Sequence, residues 1–292
     1  MFIKSVTAPG FRCLAKVSLP RTFILLIGLV LLSVNVQAQG DLFITPKRLI
    51  FEGQQRAQEI TLANIGKDTA RYEVSWMQIR LKDDGRFEQI EQPDSGQYFA
   101  DKFLRIFPRS VTLAPQETQI VKVQLYRKDK LITGEYRSHL YFRAVPAEKT
   151  KETKTDDSDE KAVSIKITPI FGISIPVIVR NGLLSSSLSL SELSITKDKN
   201  LLPVLNLTLS RSGNKSIYGD LEIFHISAGG KKTQAGLVKG LAVYTPNQLR
   251  HIQVKLDPAL GTALHSGKIL VTFNTVPATN VKTQVTSELT LK

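Results

Sequence analysis

The sequence predicts an all-β protein. Apolar and polar residues alternate with a period of two through most of the chain, as expected for strands whose successive side chains face opposite ways. Turn-forming residues interrupt these runs every 8–12 residues or so, the spacing of a sandwich or barrel. A helical periodicity is hard to find. With 292 residues, the chain can form one large domain or two of ordinary size.

The first element in chain order is an export signal. Residues 1–22 carry Lys4, Arg12, Lys16 and Arg21 and no acid. Residues 23–36 (FILLIGLVLLSVNV) form an apolar run of 14, shorter than the roughly 20 residues a membrane span needs. Val36 and Ala38 place modest and small side chains at the −3 and −1 positions of a cleavage site before Gln39. Residues 1–38 are therefore predicted to be removed. The single Cys13 leaves with them, so the mature chain depends on its core and not on disulfides. No second apolar run reaches spanning length, so the mature protein is expected not to span a membrane.

Strand signals follow. Residues 59–65 (EITLANI) alternate and stop at Gly66; residues 72–79 (YEVSWMQI) alternate and turn at Asp83-Asp84-Gly85. Residues 118–126 and 136–145 continue the pattern. Residues 148–161 (EKTKETKTDDSDEK) contain ten charged residues and no apolar one, the composition of a solvated loop. Directly after it, Val163, Ile165 and Ile167 share one face of a strand spanning 162–168. A further alternating stretch runs over 173–179, and Arg180-Asn181-Gly182 reads as a hinge. Beyond it, Leu188/Leu190, Leu205/Leu207/Leu209, Leu221/Ile223, Ile252/Val254/Leu256 and Ile269/Val271/Phe273 mark strands of a second small sandwich. Aromatic residues thin out there, so the first half is expected to have the firmer core.

Composition excludes several functions. At 42% hydrophobic and 22% charged, the chain is no disordered polymer. One cysteine cannot build a disulfide scaffold or a cysteine-based metal site, and the four histidines are scattered. No cofactor and no metal are expected. There is no HExxH, CxxC or phosphate-cradling glycine loop. The stretch around Ser174 has Pro176 near where a nucleophile elbow needs its last glycine, and the carboxylate pairs Asp83-Asp84 and Asp156-Asp157 lie in turn or loop sequence. No catalytic residue is named. The net charge of +13 would suit nucleic acid, but export argues against that partner and leaves acidic proteins and anionic lipid head groups.

Several segments carry a resemblance: residues 44–53 (ITPKRLIFEG), the strand ending at Asn64, Trp76, Phe107-Pro108 with Leu113-Ala114-Pro115, and residues 134–142 (GEYRSHLYF) with Pro146. Together they resemble the periplasmic pilus-assembly chaperones, the PapD-like family of the chaperone–usher pathway. The resemblance covers most of residues 41–180. The Ser174–Val177 run looks more like a branch apart from the best-known members.

The resemblance implies two immunoglobulin-like sandwiches in an L shape. Residues 39–180 would form the chaperone domain, with its donor strand at 162–168, and residues 183–292 a C-terminal sandwich. It further implies a non-enzymatic periplasmic protein whose partners are pilus or fimbrial subunits and an outer-membrane usher. Val163, Ile165 and Ile167 would be lent to a subunit lacking a strand, each contributing roughly 1.5–3 kcal/mol when buried. Without the resemblance, the same row reads as a strand facing its own core. Arg48 would anchor the subunit's C-terminal carboxylate. The family's lysine partner falls on Ser174 and is thus missing, and its interdomain ion-pair residues are expected to be absent, with Arg137 and Ile178 in the matching places. Lys166 and Arg180 are candidate auxiliary cations. The alternative is an exported two-domain binding module, an adhesin or carbohydrate binder, which calls for exposed aromatics or a metal site on loops.

Overall fold

The computed structural model describes residues 42–146, 170–260, 263–276 and 283–291. The export signal, the charged loop 148–161 and the strand 162–168 with Val163, Ile165, Lys166 and Ile167 lie outside these residues. Regular structure among the described residues consists of strands and short 3-10 turns. The protein is all-β and forms two sandwiches.

Among the described residues the first half contributes β1 (Leu42–Thr45), β2 (Leu49–Phe51), β3 (Ala57–Asn64), β4 (Ala70–Met77), β5 (Ile79–Leu81), β6 (Phe87–Gln89), β7 (Leu104–Phe107), β8 (Ser110–Leu113), β9 (Thr118–Leu125), β10 (Gly134–Val145) and β11 (Gly172–Asn181). One sheet has the order β1-β3-β9-β7, and the facing sheet β2-β11-β10-β4-β8. Strands β5 and β6 form a separate hairpin. The pairs are antiparallel except β2 with β11, which run parallel. Inward residues of both sheets meet in one core, including Ile60, Leu62, Val121 and Val123 from one side and Phe51, Val74, Phe142 and Val177 from the other. Period-two alternation produces this directly, because every second residue of each strand points into the same layer.

The second sandwich contains β12 (Ser186–Lys197), β13 (Pro203–Gly213), β14 (Ile217–Ile226), β15 (Lys232–Val243), β16 (Leu249–Lys255), β17 (Gly267–Thr275) and β18 (Gln284–Leu291). Its sheets have the orders β12-β13-β16 and β15-β14-β17-β18. Leu205, Leu207 and Leu209 pack with Leu221, Ile223, Val271 and Phe273. The first core is the larger of the two, and Phe51, Tyr72, Tyr136 and Phe142 belong to it.

The expected hinge differs from the structure. Arg180 and Asn181 belong to β11 and pair with Glu135 and Gly134 of β10. The Asn181 side chain donates to the Leu131 carbonyl at 2.9 Å. Only Gly182 leaves the strand, at φ +81°, where a Cβ would stand 2.7 Å from the Thr133 side chain. Both the positive φ and the close approach require glycine.

Where the two sandwiches meet, Leu81, Ile178, Ala242 and Tyr244 form a small buried cluster. The β5–β6 hairpin straps across one side. Asp83, in its turn, accepts from the His251 backbone N–H at 2.7 Å. Asn247 donates to the Leu81 carbonyl at 2.8 Å and to Asp83 Oδ1 at 2.9 Å. The Asp83-Asp84 pair is thus a turn of this strap.

Candidate functional site

The strand register lays out one face of the five-stranded sheet in rows. Residues opposite one another on neighbouring strands point to the same face. Glu135 lies opposite Arg180, Arg137 opposite Ile178, and His139 opposite Pro176 on one side and Met77 on the other. Strand β2 continues the rows, with Ile50 beside Ile178. One residue before the paired segment, Arg48 falls beside Pro176, so it shares a row with His139. This face carries the charged side chains that meet the second sandwich.

The first row is an ion pair within the first sandwich that groups of the second sandwich join. Glu135 is wholly buried; Arg180 Nε donates to it at 3.0 Å, and Arg180 Nη1 lies 3.6 Å from Glu52. From the second sandwich, Ser216 donates its backbone N–H to Glu135 at 3.1 Å and its hydroxyl to Oε1. Lys215 stands 3.9 Å from Glu52. The expectation that the ion pair is absent, with Arg137 and Ile178 in its places, is corrected here: Glu135 and Arg180, two residues away along each strand, form a buried ion pair that Ser216 of the second sandwich joins. Arg180 is consequently no spare cation, since two carboxylates already hold it.

The next rows gather cations around two tyrosines. Arg137 is buried; its Nη2 donates to the Ile79 carbonyl at 3.2 Å, and its guanidinium lies 4.1 Å from the Tyr244 ring centroid. Its Nε and Nη1 have no hydrogen-bond partner among the described residues. Burial pushes its pKa down to about 10, against the attraction of Tyr244 and Glu135. His139 packs edge-on to Tyr244 and Phe87. Arg48, half-buried, places its guanidinium 3.5 Å from the Tyr218 ring centroid and donates from Nη2 to Tyr244 Oη at 2.9 Å. It makes no ion pair among the described residues. Arg48 and Tyr218 line two hollows, one of about 320 Å³ with Arg180, Lys215 and Ser186, the other of about 640 Å³ with Pro46, Lys47 and Glu52.

This setting makes His139 an acid-sensitive point. Burial, and then the charges of Arg137 and Arg48, push its imidazole down to about 3 from the ordinary 6.5. A histidine that folds neutral stabilises fully above its unfolded pKa, and that contribution is lost as the pH falls toward the folded value. Between pH 6.5 and 4.5 the wild type should lose about 2–3 kcal/mol more than His139→Phe. Urea unfolding across that range measures the difference; parallel curves for the two proteins would contradict it.

A second feature lies along β11. Ile175, Val177 and Val179 belong to the core. Phe171 and Ile173 have the same parity, so they continue that row, yet they are 49% and 39% exposed. The row of apolar side chains therefore runs out past the end of its own core. Strand β10 pairs with β11 from Gly172 to Asn181, but β2 pairs only with Val177–Val179. Among the described residues, no strand pairs with the other edge of residues 172–176. Val163, Ile165 and Ile167 have the same parity in the sequence. In the sequence the 162–168 row and the 173–179 stretch read as separate; the signal that joins them is the odd-numbered parity shared by Ile167, Phe171 and Ile173 on either side of Pro169.

Register also moves the position beside Arg48. It is Pro176, not Ser174, which is exposed and lies opposite Tyr141. Arg48 was visible in the sequence, whereas its surroundings of His139, Tyr218 and Tyr244 were not. Elsewhere, Thr208 links Glu192 at 2.6 Å to His251 at 2.9 Å. The hydroxyl stands between acid and imidazole, so the acid does not orient the base as nucleophilic catalysis requires. No group of three or more metal-ligating side chains occurs among the described residues, and no helix there is long and apolar enough to cross a membrane.

No protein-family model matches the chain, and no curated protein matches it. Solved structures similar to it include the Pseudomonas aeruginosa CupB2 chaperone, at 14% identity and a TM-score of 0.42, covering 85% of this chain and 100% of that one. Another is the CsuC–CsuE chaperone–tip adhesion subunit pre-assembly complex of Acinetobacter baumannii, at 15% identity and 0.41, covering 73% and 90%. A third is the Salmonella enterica SafA pilin–SafB chaperone complex, at 11% identity and 0.41, covering 87% and 98%. At these identities and scores the functional reading rests on the residues themselves.

Proposed function

We propose that this protein is a periplasmic chaperone for subunits of a surface fibre, a pilus or fimbria, which it delivers to an outer-membrane usher. It holds a subunit by lending a strand along the open edge of β11 and fixing the subunit's C-terminal carboxylate on Arg48. The observation that carries the reading is the apolar row of β11, which continues exposed through Ile173 and Phe171 beside a strand edge with no partner strand among the described residues. An exposed edge with alternating apolar side chains is otherwise a liability that folded proteins avoid. It suits a partner that lacks one strand and offers both a groove and unpaired backbone groups. The proposed donor segment, Val163, Ile165 and Ile167 within 162–168, leads into this edge with the same alternation. Lys166 remains a candidate auxiliary cation. The proposal keeps the division into a signal at 1–38, a chaperone domain at 39–180 and a C-terminal domain at 183–292.

Arg48 supports the reading through its charge. A guanidinium can take a carboxylate bidentately, and this one has no ion-pair partner among the described residues. The test is co-expression with small secreted subunits encoded beside this chain. At least one should survive proteolysis and co-purify only when the protein is present. Arg48→Ala should weaken that complex by about 10- to 100-fold, the worth of a charge-assisted hydrogen bond. If no subunit is rescued, the chaperone reading fails.

A further inference from the structure

Arg48 lies one residue before a three-residue strand, on the side of the sheet away from β10. Its side chain is nevertheless held at two points, both in the second sandwich. Tyr218 lies opposite Ala242 in the β14–β15 ladder, and Tyr244 is two residues further on, so both rings stand on one face of that sheet. Tyr218 presents its ring to the guanidinium at 3.5 Å, and Tyr244 offers its hydroxyl oxygen at 2.9 Å. Tyr244 is itself buried and fixed by Arg137 against its ring.

The chemistry of this grip matters. A carboxylate partner would hold Arg48 equally well but would cancel its charge. A ring face attracts the cation through its quadrupole and uses the flat side of the guanidinium. The N–H donors lie around the rim of that plane. Of five donors, one goes to Tyr244, and no others are bonded among the described residues. The charge and a forked donor edge thus stay available to an anion.

We infer that Tyr218 and Tyr244 are positioning residues that preset Arg48 for a carboxylate, so that the second sandwich forms part of the anchoring site. This deepens the reading of Arg48 as a carboxylate anchor and rests on it. Neither tyrosine needs to touch the ligand; both act through Arg48. At position 218 the ring is what counts, so phenylalanine should serve. At position 244 the hydroxyl counts, so phenylalanine should not.

The probe is a ten-residue peptide of alternating threonine and valine, with a free C-terminal carboxylate or as its amide, titrated calorimetrically against the mature protein. The free acid should bind more tightly than the amide. Tyr218→Leu should weaken the acid about 5- to 10-fold and leave the amide unchanged, while Tyr218→Phe restores the acid. Tyr244→Phe should weaken the acid about 3- to 10-fold. In an Arg48→Ala background, neither tyrosine change should have a further effect. If Arg48→Ala lowers acid binding but the tyrosine variants bind like wild type, the inference is overturned and the anchor stands. The inference also falls if the tyrosine effects persist without Arg48. Equal affinity for acid and amide, or no binding of either, would overturn the anchor and the inference together. The phenylalanine variants keep the packing of the seam, so the test holds even if Tyr218→Leu fails to fold.

Discussion

Replacing Glu135 with alanine is expected to lower the unfolding free energy by about 3–5 kcal/mol, the range for breaking one partner out of a buried ion pair. Arg180 would remain with its side chain 7% exposed and its closest carboxylate gone. Glu52, at 3.6 Å and partly exposed, compensates for only a portion. Ser216 would lose the acceptor for both its backbone N–H and its hydroxyl, so the damage extends across the seam. The paired substitution Glu135→Leu with Arg180→Leu should recover part of the loss, because it removes the unpaired buried arginine charge but leaves Ser216 without its acceptor. Urea unfolding at neutral pH measures all three proteins. A loss below about 1 kcal/mol in Glu135→Ala, the scale of an exposed pair, would mean that Glu52 and solvent already carry the arginine.

The second large effect is on binding. Ile173→Asp is expected to leave the free protein folded and to abolish subunit capture. Ile173 is 39% exposed, so a carboxylate there can stay hydrated in the unbound state. In the proposed complex the same side chain would enter the groove of the subunit, where an unpaired charge costs several kcal/mol. The corresponding loss of affinity exceeds about 100-fold. Ile173→Val, which keeps the apolar row, should bind within a few-fold of wild type. Circular dichroism together with a pull-down of co-expressed subunit separates the possibilities. An unfolded Ile173→Asp would place the residue in the protein's own core, and a folded variant that still captures subunit would remove this edge from the proposed site.

The long strands were legible because alternation is a local property. Leu205, Leu207 and Leu209 announce one face of β13 without reference to any other strand, and all three are buried. The site was harder to read for a related reason. A pattern of period two looks identical after a slip of two residues. Face could be read from the sequence, but position along the neighbouring strand could not. That is why the ion pair was expected to be absent, with Arg137 and Ile178 in its places, when Glu135 and Arg180 form one, and why Ser174 was matched to Arg48 where Pro176 stands beside it. Arg48 was visible through its motif. Its contact with Tyr244, 196 residues away along the chain, depends on how two sandwiches meet, and no local pattern encodes that. The strap was legible only as a turn: Asp83-Asp84-Gly85 announced a reversal, but not that Asn247 would bind it.

Strand β11 has two different sides. It is laddered to β10 along its whole length, while β2 covers only three of its residues on the other side. Residues 172–176 thus have their backbone already ordered, with one edge unpaired among the described residues. Ordering a residue's backbone costs about 1–2 kcal/mol, and in this stretch folding has already met that cost. A strand arriving at the edge would lose its own conformational freedom without asking β11 to lose any more. The edge is therefore a template fixed before encounter, and association there should be limited by the order of the incoming chain.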